Sequence, residues 1–199
     1  MNGVSKTLLG MTVLLVPAVS MAQQQTTSTE PFSYTYAELA YDESDFDLGG
    51  GGDIDGDGLT LSGSYALNDD WHIYGSYGAA DLDFGIDIDT LAIGAGYRYP
   101  LQDDVDIYGR VLYISSDVDA PGPGGGLDED GLGLQVRIRY RVTDEFEVEG
   151  GIQHVDVFDS DTSLQAMARY HFNRNFSAGI GLTFAGDTDT FGINARYSF

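Results

Sequence analysis

From residue 33 to the C-terminus the chain alternates apolar and polar residues with a period of two, in segments separated by turn-forming clusters. That period places alternate side chains on opposite faces of an extended strand, and it does not match the 3.6-residue repeat of a helix. The clearest segment is 132–142. Leu132, Leu134, Val136, Ile138, Tyr140 and Val142 form one face, and Gly133, Gln135, Arg137, Arg139 and Arg141 form the other. The last segment is equally plain: Phe191, Ile193, Ala195, Tyr197 and Phe199 alternate with Gly192, Asn194, Arg196 and Ser198. The same template predicts strands near 33–42, 58–67, 71–81, 89–99, 105–116, 131–142, 146–156, 162–172, 176–185 and 190–199.

Most of these segments run about ten or eleven residues, the length a tilted strand needs to cross a bilayer. Their connections alternate in kind. Asn68–Asp70, Pro100–Asp104, Thr143–Glu145 and Asn173–Asn175 read as short turns. Asp42–Asp57 and Asp117–Asp130 read as long, acidic, glycine-rich loops, with shorter acidic links near 82–88, 157–161 and 186–189. Short turns on one side and long loops on the other are the asymmetry of membrane barrels, and an even strand count puts both ends on the short-turn side. The expected fold is all-β: a transmembrane antiparallel up-and-down β-barrel of about ten strands, with eight as the alternative count.

Alternation alone does not say which face is buried, because a soluble barrel carries its apolar set inward. Aromatics of the apolar set decide for lipid. Trp71, Tyr97, Tyr99, Tyr140, Phe146, Tyr170, Phe172, Phe176, Tyr197 and Phe199 gather near the short turns, and Tyr41, Tyr113, Phe184 and Phe191 near the loops. Two such levels match the interfacial girdles of a membrane barrel. The polar set then lines a narrow lumen, where Glu38, Arg98, Asp106, Arg110, Arg137, Arg139, Arg141, Glu147, Glu149, Arg169 and Arg196 are expected to form a charge network. Hairpin pairing sets Arg141 opposite Glu147, Arg139 opposite Glu149 and Arg98 opposite Asp106, and closure of the first strand on the last brings Glu38 to Arg196. Leu112, Ile114 and Val155 fall on the polar face and mark a bulge, an apolar plug or positions above the membrane.

Residues 1–22 read as an export signal: Lys6, an apolar run from Leu8 to Val16, and small residues ending at Ala22. Residues 23–32 read as a flexible leader, and 33–199 as the barrel. Beyond residue 22 there is no lysine, only arginine, while all 32 acidic residues lie there. Such a chain does not bind nucleic acid through its phosphates and attracts cations instead. The sequence holds no cysteine.

Little points to catalysis. His72 and His171 lie near short turns, and His154, near the loop side, falls on the outward face. Asp53, Asp55 and Asp57 match the opening of a calcium loop, but the twelfth position is Ser64 rather than a glutamate. They are a weak calcium candidate, and the acidic loops together suit loosely held Ca²⁺ or Mg²⁺; no cofactor is expected.

The run Tyr34-Thr35-Tyr36-Ala37-Glu38-Leu39, the segment Gly94-Ala95-Gly96-Tyr97-Arg98 and the terminal Tyr197-Ser198-Phe199 give the chain its likeness. It resembles the small outer-membrane β-barrel proteins of Gram-negative bacteria, the broad porin-like group that includes the OmpA transmembrane domain and OmpX-like barrels. Those members have eight strands where ten are read here. The resemblance implies the outer membrane as location, a lipid and lipopolysaccharide environment, a monomer, and Tyr197 and Phe199 as a signal to the outer-membrane assembly machinery. Two functions stay open: a non-enzymatic structural or interaction barrel with acidic extracellular loops, and a narrow cation-preferring channel.

Overall fold

A computed structural model describes residues 32–47, 53–122 and 126–199. The expected export signal and the leader up to residue 31 lie outside these described residues. Ten antiparallel strands close into one barrel, each paired with its sequence neighbours and β1 paired with β10. They are β1 (Tyr36–Asp47), β2 (Asp53–Ala66), β3 (Trp71–Leu82), β4 (Ile86–Gln102), β5 (Val105–Asp119), β6 (Gly126–Arg141), β7 (Phe146–Val157), β8 (Asp159–His171), β9 (Phe176–Ala185) and β10 (Thr188–Ser198). Closure pairs every strand on both sides, so no edge is left with unpaired backbone groups, the condition for crossing lipid with strands.

Three short turns share one construction. Asn68 Oδ1 accepts from the backbone N–H groups of Asp70 and Trp71 at 3.0 and 2.9 Å. Asn173 Oδ1 does the same for Asn175 and Phe176 at 2.9 and 2.8 Å. Thr143 Oγ1 accepts from Glu145 and Phe146 at 3.3 and 3.1 Å. A short polar side chain thus satisfies the donors that the reversal frees, which is why these residue types sit there.

At the other end the strands run on where the sequence suggested loops. β1 reaches Asp47 and β2 starts at Asp53, so most of the segment read as a long loop over Asp42–Asp57 is paired strand. β5 likewise continues to Asp119 and β6 begins at Gly126, and β4 is 17 residues long. Crossing the hydrocarbon takes about 9–11 residues, so the walls project well beyond it.

Over the projecting part the alternation continues with its phase reversed. In the lower half of β4, Leu91, Ile93, Tyr97 and Tyr99 point outward while Ala92 and Arg98 point into the lumen; in its upper half Asp87 and Asp89 point outward and Ile86 and Ile88 inward. β5, β7 and the β1–β2 hairpin follow the same rule, with Phe46, Val118, Val155 and Val157 inward against Asp45, Asp117 and Asp156 outward. The lower wall therefore has an apolar outside and a polar inside, the upper wall the opposite. Leu112 and Ile114 belong to this inner apolar layer: with Ala92 they form a buried cluster against Tyr74, Val155 and Val157. β5 pairs with β6 without a bulge there.

The reversed phase lines up acidic side chains across strands. Glu43, Asp57, Asp81, Asp87 and Asp119 are successive register partners from β1 to β5. Asp189, Asp45 and Asp55 form a second row, and Asp89, Asp117 and Asp128 a third. Like charges directly opposite destabilise a sheet by up to about 1 kcal/mol a pair. Their placement on the exposed outer surface, in water, keeps that cost screened.

One glycine shows how tightly the lower lumen is filled. A Cβ on Gly96 would stand 2.3 Å from His72 Nε2 and 2.9 Å from Arg110 Cγ. His72, 1% exposed, has no room to retreat, its ring lying 4.8 Å from that of Tyr34. Gly96→Ala is expected to destabilise the barrel by about 1–3 kcal/mol through overpacking, read from urea unfolding in phospholipid vesicles. The same substitution on a His72→Ala background should recover most of that loss.

Candidate functional site

The lower lumen holds one continuous network of charged and aromatic side chains, and Glu147 is its centre. Its carboxylate, 1% exposed, accepts from Arg139 Nε and Nη2 at 3.1 and 2.9 Å and from Arg169 Nη1 at 3.4 Å. Arg141 Nη2 approaches from the short-turn side at 3.4 Å, and His171 Nε2 lies 3.2 Å away. Arg169 then carries the network across the lumen, its Nη2 donating to Glu38 at 2.6 Å. Glu38 also receives Arg196 Nε at 2.8 Å.

A second carboxylate, Glu149, binds Arg137 at 2.5 Å and accepts from the Tyr108 hydroxyl at 2.8 Å, with Arg139 Nε 3.6 Å away. Arg137 also donates to Gln165. A third, Asp106, pairs with Arg98 at 3.6 Å and accepts from the Tyr34 hydroxyl at 3.3 Å. Arg110 has no carboxylate partner among the described residues: it donates to His72 Nε2 at 3.1 Å, to Gln135 at 3.2 Å and to the Tyr36 hydroxyl at 3.1 Å.

Six arginines (98, 137, 139, 141, 169 and 196) thus share four carboxylates (38, 106, 147 and 149), and Arg110 adds a seventh positive charge. Aromatic faces take up part of the excess positive charge. Arg110 lies 4.2 Å over the Tyr74 ring and 4.7 Å over Tyr108; Arg196 lies 3.8 Å over Tyr36; Arg139 lies 4.6 Å over Phe32. Such contacts gain most where water is excluded.

The charged residues that the alternation assigned to the lumen lie there, and the expected Arg141–Glu147, Arg139–Glu149, Arg98–Asp106 and Arg196–Glu38 pairs are all within ion-pair distance, with further partners added. Arg139 stands opposite Glu149 in register at 3.6 Å, and its guanidinium also binds Glu147, one inward position along β7, at 2.9 Å. Arg98 stands opposite Tyr108 rather than Asp106, because β4 and β5 pair on through Gln102 and Val105 and leave a tighter turn than 100–104, and the Arg98–Asp106 pair forms diagonally. Glu38 and Arg196 are direct register partners. Sequence reasoning had Tyr108 among the inward residues able to fill the lumen but missed Tyr34, Tyr36 and His72 as members of the network, although the inward parity of Tyr36 and His72 was available. It also placed Phe32 in the leader, whereas the side chain is buried at the lumen's lower end with Tyr34 and Tyr108.

The other candidates are not drawn into a site. Asp55 and Asp57 lie on an extended strand with outward side chains, not on a loop that folds around an ion, and Asp53 is the first residue of that strand. Among the described residues no three His, Asp or Glu side chains converge as a metal set. His154 is exposed on the outer face; its Nδ1 lies 2.8 Å from the Thr162 hydroxyl and its Nε2 3.3 Å from that of Ser160, with no carboxylate partner among the described residues. Tyr197 and Phe199 point outward at the short-turn rim, their rings edge to face at 5.1 Å.

Removing one member of a buried charge network leaves its partners unpaired, typically at a cost of about 3–5 kcal/mol. Glu147→Ala, which strands Arg139 and Arg169, is expected to fall in that range by urea unfolding in vesicles. Arg174→Ala, in an exposed turn, should change stability by less than about 0.5 kcal/mol.

An outer-membrane channel from Pseudomonas putida F1 aligns with a TM-score of 0.57 at 12% identity, over 85% of this chain and 96% of that chain. A KdgM porin in complex with disordered oligogalacturonate aligns at 0.49 and 11% identity, over 81% and 99% of the two chains. Ail, the attachment invasion locus protein of Yersinia pestis, aligns at 0.43 and 14% identity, over 84% and 99%. At such identities the likeness extends to the fold alone. No curated protein matches the sequence significantly. The outer membrane protein beta-barrel domain family, in contrast, matches over residues 11–199, and the chain belongs to that family and resides in the outer membrane.

Proposed function

We propose that this barrel does not conduct and serves the envelope as a structural and interaction element. The observation that carries the reading is the bridging of the lumen across its full width. In a closed ten-strand ring β1 lies opposite β5 and β6. Tyr36 of β1 meets Arg110 of β5, Tyr34 just before β1 meets Asp106 of β5, and Glu38 of β1 is tied through Arg169 and Glu147 to Arg139 of β6. Barrels near eight strands have interiors that side chains fill, and here ten strands are filled by large arginines and tyrosines. The competing reading, a cation-preferring pore, needs a water path, and the charged residues that would line one are engaged with each other.

The outer surface is the part left free to interact. Its rows of carboxylates stand above the apolar band, at the height of the anionic lipopolysaccharide headgroups. Loosely held Ca²⁺ or Mg²⁺ would be shared between the two, and the barrel would work as a monomer with lipid as its main neighbour. The outward Tyr197 and terminal Phe199 suit recognition by the assembly machinery, and the expected export signal suits delivery to it. No reaction is assigned, because no nucleophile with a positioned base and orienting carboxylate is formed among the described residues.

Thiol accessibility tests the closure on a chain that has no cysteine of its own. Thr183, lining the upper lumen, and Ser177, 2% exposed in the lower lumen, both point inward on β9. Thr183→Cys should react with a charged methanethiosulfonate reagent in folded, vesicle-inserted protein, and Ser177→Cys should stay unreactive. Comparable rates at both positions would mean an open lumen.

A further inference from the structure

Above the charge network the lumen becomes a cup that opens outward, and its lining differs from both the network and the outer wall. A cavity of about 200 Å³ is bounded by Asp42, Phe46, Thr60, Leu82, Ile88 and Thr90. A second space of about 90 Å³ adjoins it, with Asp42 on its border and Arg137, Glu149 and Gln165 at its floor. Asp42 is the singular group here. It points into the lumen, and among the described residues no hydrogen bond or ion pair reaches its carboxylate, while Glu38, Glu147 and Glu149 below are all paired. Its two register neighbours are Gly58 and Gly192. A Cβ on Gly192 would stand 2.0 Å from Asp42 Oδ1, so the glycine is what makes room for the carboxylate.

We infer that this cup is a binding site for a small organic ammonium ion with an apolar body, entering from the cell exterior. The ammonium would sit on Asp42 and the body on Phe46, Leu82 and Ile88, with the Thr60 and Thr90 hydroxyls flanking it. Size limits the ligand: the two spaces together fall below the about 300–1,000 Å³ of drug-sized sites. Charge fixes its sign, since an unpaired carboxylate within low-dielectric walls favours a cation. The carboxylate rows outside the rim raise the local cation concentration at the mouth. The inference rests on the closed floor proposed above, which makes the space a cup and not a passage.

The test uses the mature protein in lipid nanodiscs with 2-phenylethylammonium as probe, followed by the methyl resonances of Leu82 and Ile88. Saturable shifts are expected with the ammonium and none with phenylacetate, which has the same ring and the opposite charge. Asp42→Asn should weaken binding about tenfold, the worth of one charge-assisted hydrogen bond, and Asp42→Glu should retain most of it. Equal shifts with phenylacetate, an unchanged Kd in Asp42→Asn, or no saturable shift would each overturn the site. Reactivity of Ser177→Cys in the same nanodiscs separates the two failures: a reactive thiol overturns the closed floor and the cup with it, whereas an unreactive thiol with no saturable shift overturns the cup alone.

Discussion

Glu147 is a carboxylate enclosed by protein in the lower lumen near the short turns, and the rest of the lower lumen is arranged so that it can stay charged. Burying an isolated carboxylate costs several kcal/mol even after relaxation. Arg139, Arg141 and Arg169 surround it at hydrogen-bond distance, and each of these brings its own demand for a partner. Arg169 is answered by Glu38, Glu38 by Arg196, and Arg196 by the face of Tyr36. The demand thus propagates from wall to wall, and the lumen fills as a result. On the proposed reading, closure of the pore and satisfaction of buried charge are one requirement seen from two sides.

The same backbone meets two solvents along its length, and the reversal of phase along the strands follows from that. Where lipid lies outside, apolar residues must face out and the polar set has only the interior. Where water lies outside, the projecting wall needs a core of its own, so Phe46, Ile88, Ile114, Val118 and Val157 turn inward and aspartates face out. The switch within β4, between Thr90 and Leu91, needs no irregularity in the backbone, because β3–β4 pairing passes through it unbroken. Only the sequence of side chains changes. The upper barrel is built like a soluble one and the lower like a membrane one, and the interior accordingly passes from a dense ionic layer to an apolar cup.

Much of this was legible from residues alone. All ten strands were placed within a few residues over the membrane-crossing part, because strict alternation such as that of 132–142 leaves no other fold. The luminal arginines and glutamates followed from parity. The projecting ends were missed for a physical reason: segments such as Asp53-Ile54-Asp55-Gly56-Asp57-Gly58 carry turn-forming residues in a period-two pattern, and their acidity and glycine content suggested a loop. Read as alternation of opposite phase, they are strands. The pairings were partly hidden as well, since long arginine side chains reach diagonal partners, as Arg139 does to Glu147, and the β4–β5 turn, tighter than 100–104, shifts Arg98 relative to Asp106. The tyrosines that complete the network look in sequence like ordinary strand aromatics, and only the closed ring shows that Tyr36 and Arg110 face each other across it.

The central claim is that the ionic network closes the lumen, and conductance is its most direct measure. The folded protein, inserted into a planar bilayer in symmetric salt, should give no discrete current steps, and simultaneous truncation of Arg139, Glu147 and Arg169 to alanine should open them. Resolved, cation-selective steps from the unaltered protein would contradict the account, because a lumen bridged from Tyr36 to Arg110 and from Glu38 to Arg139 leaves ions no continuous path.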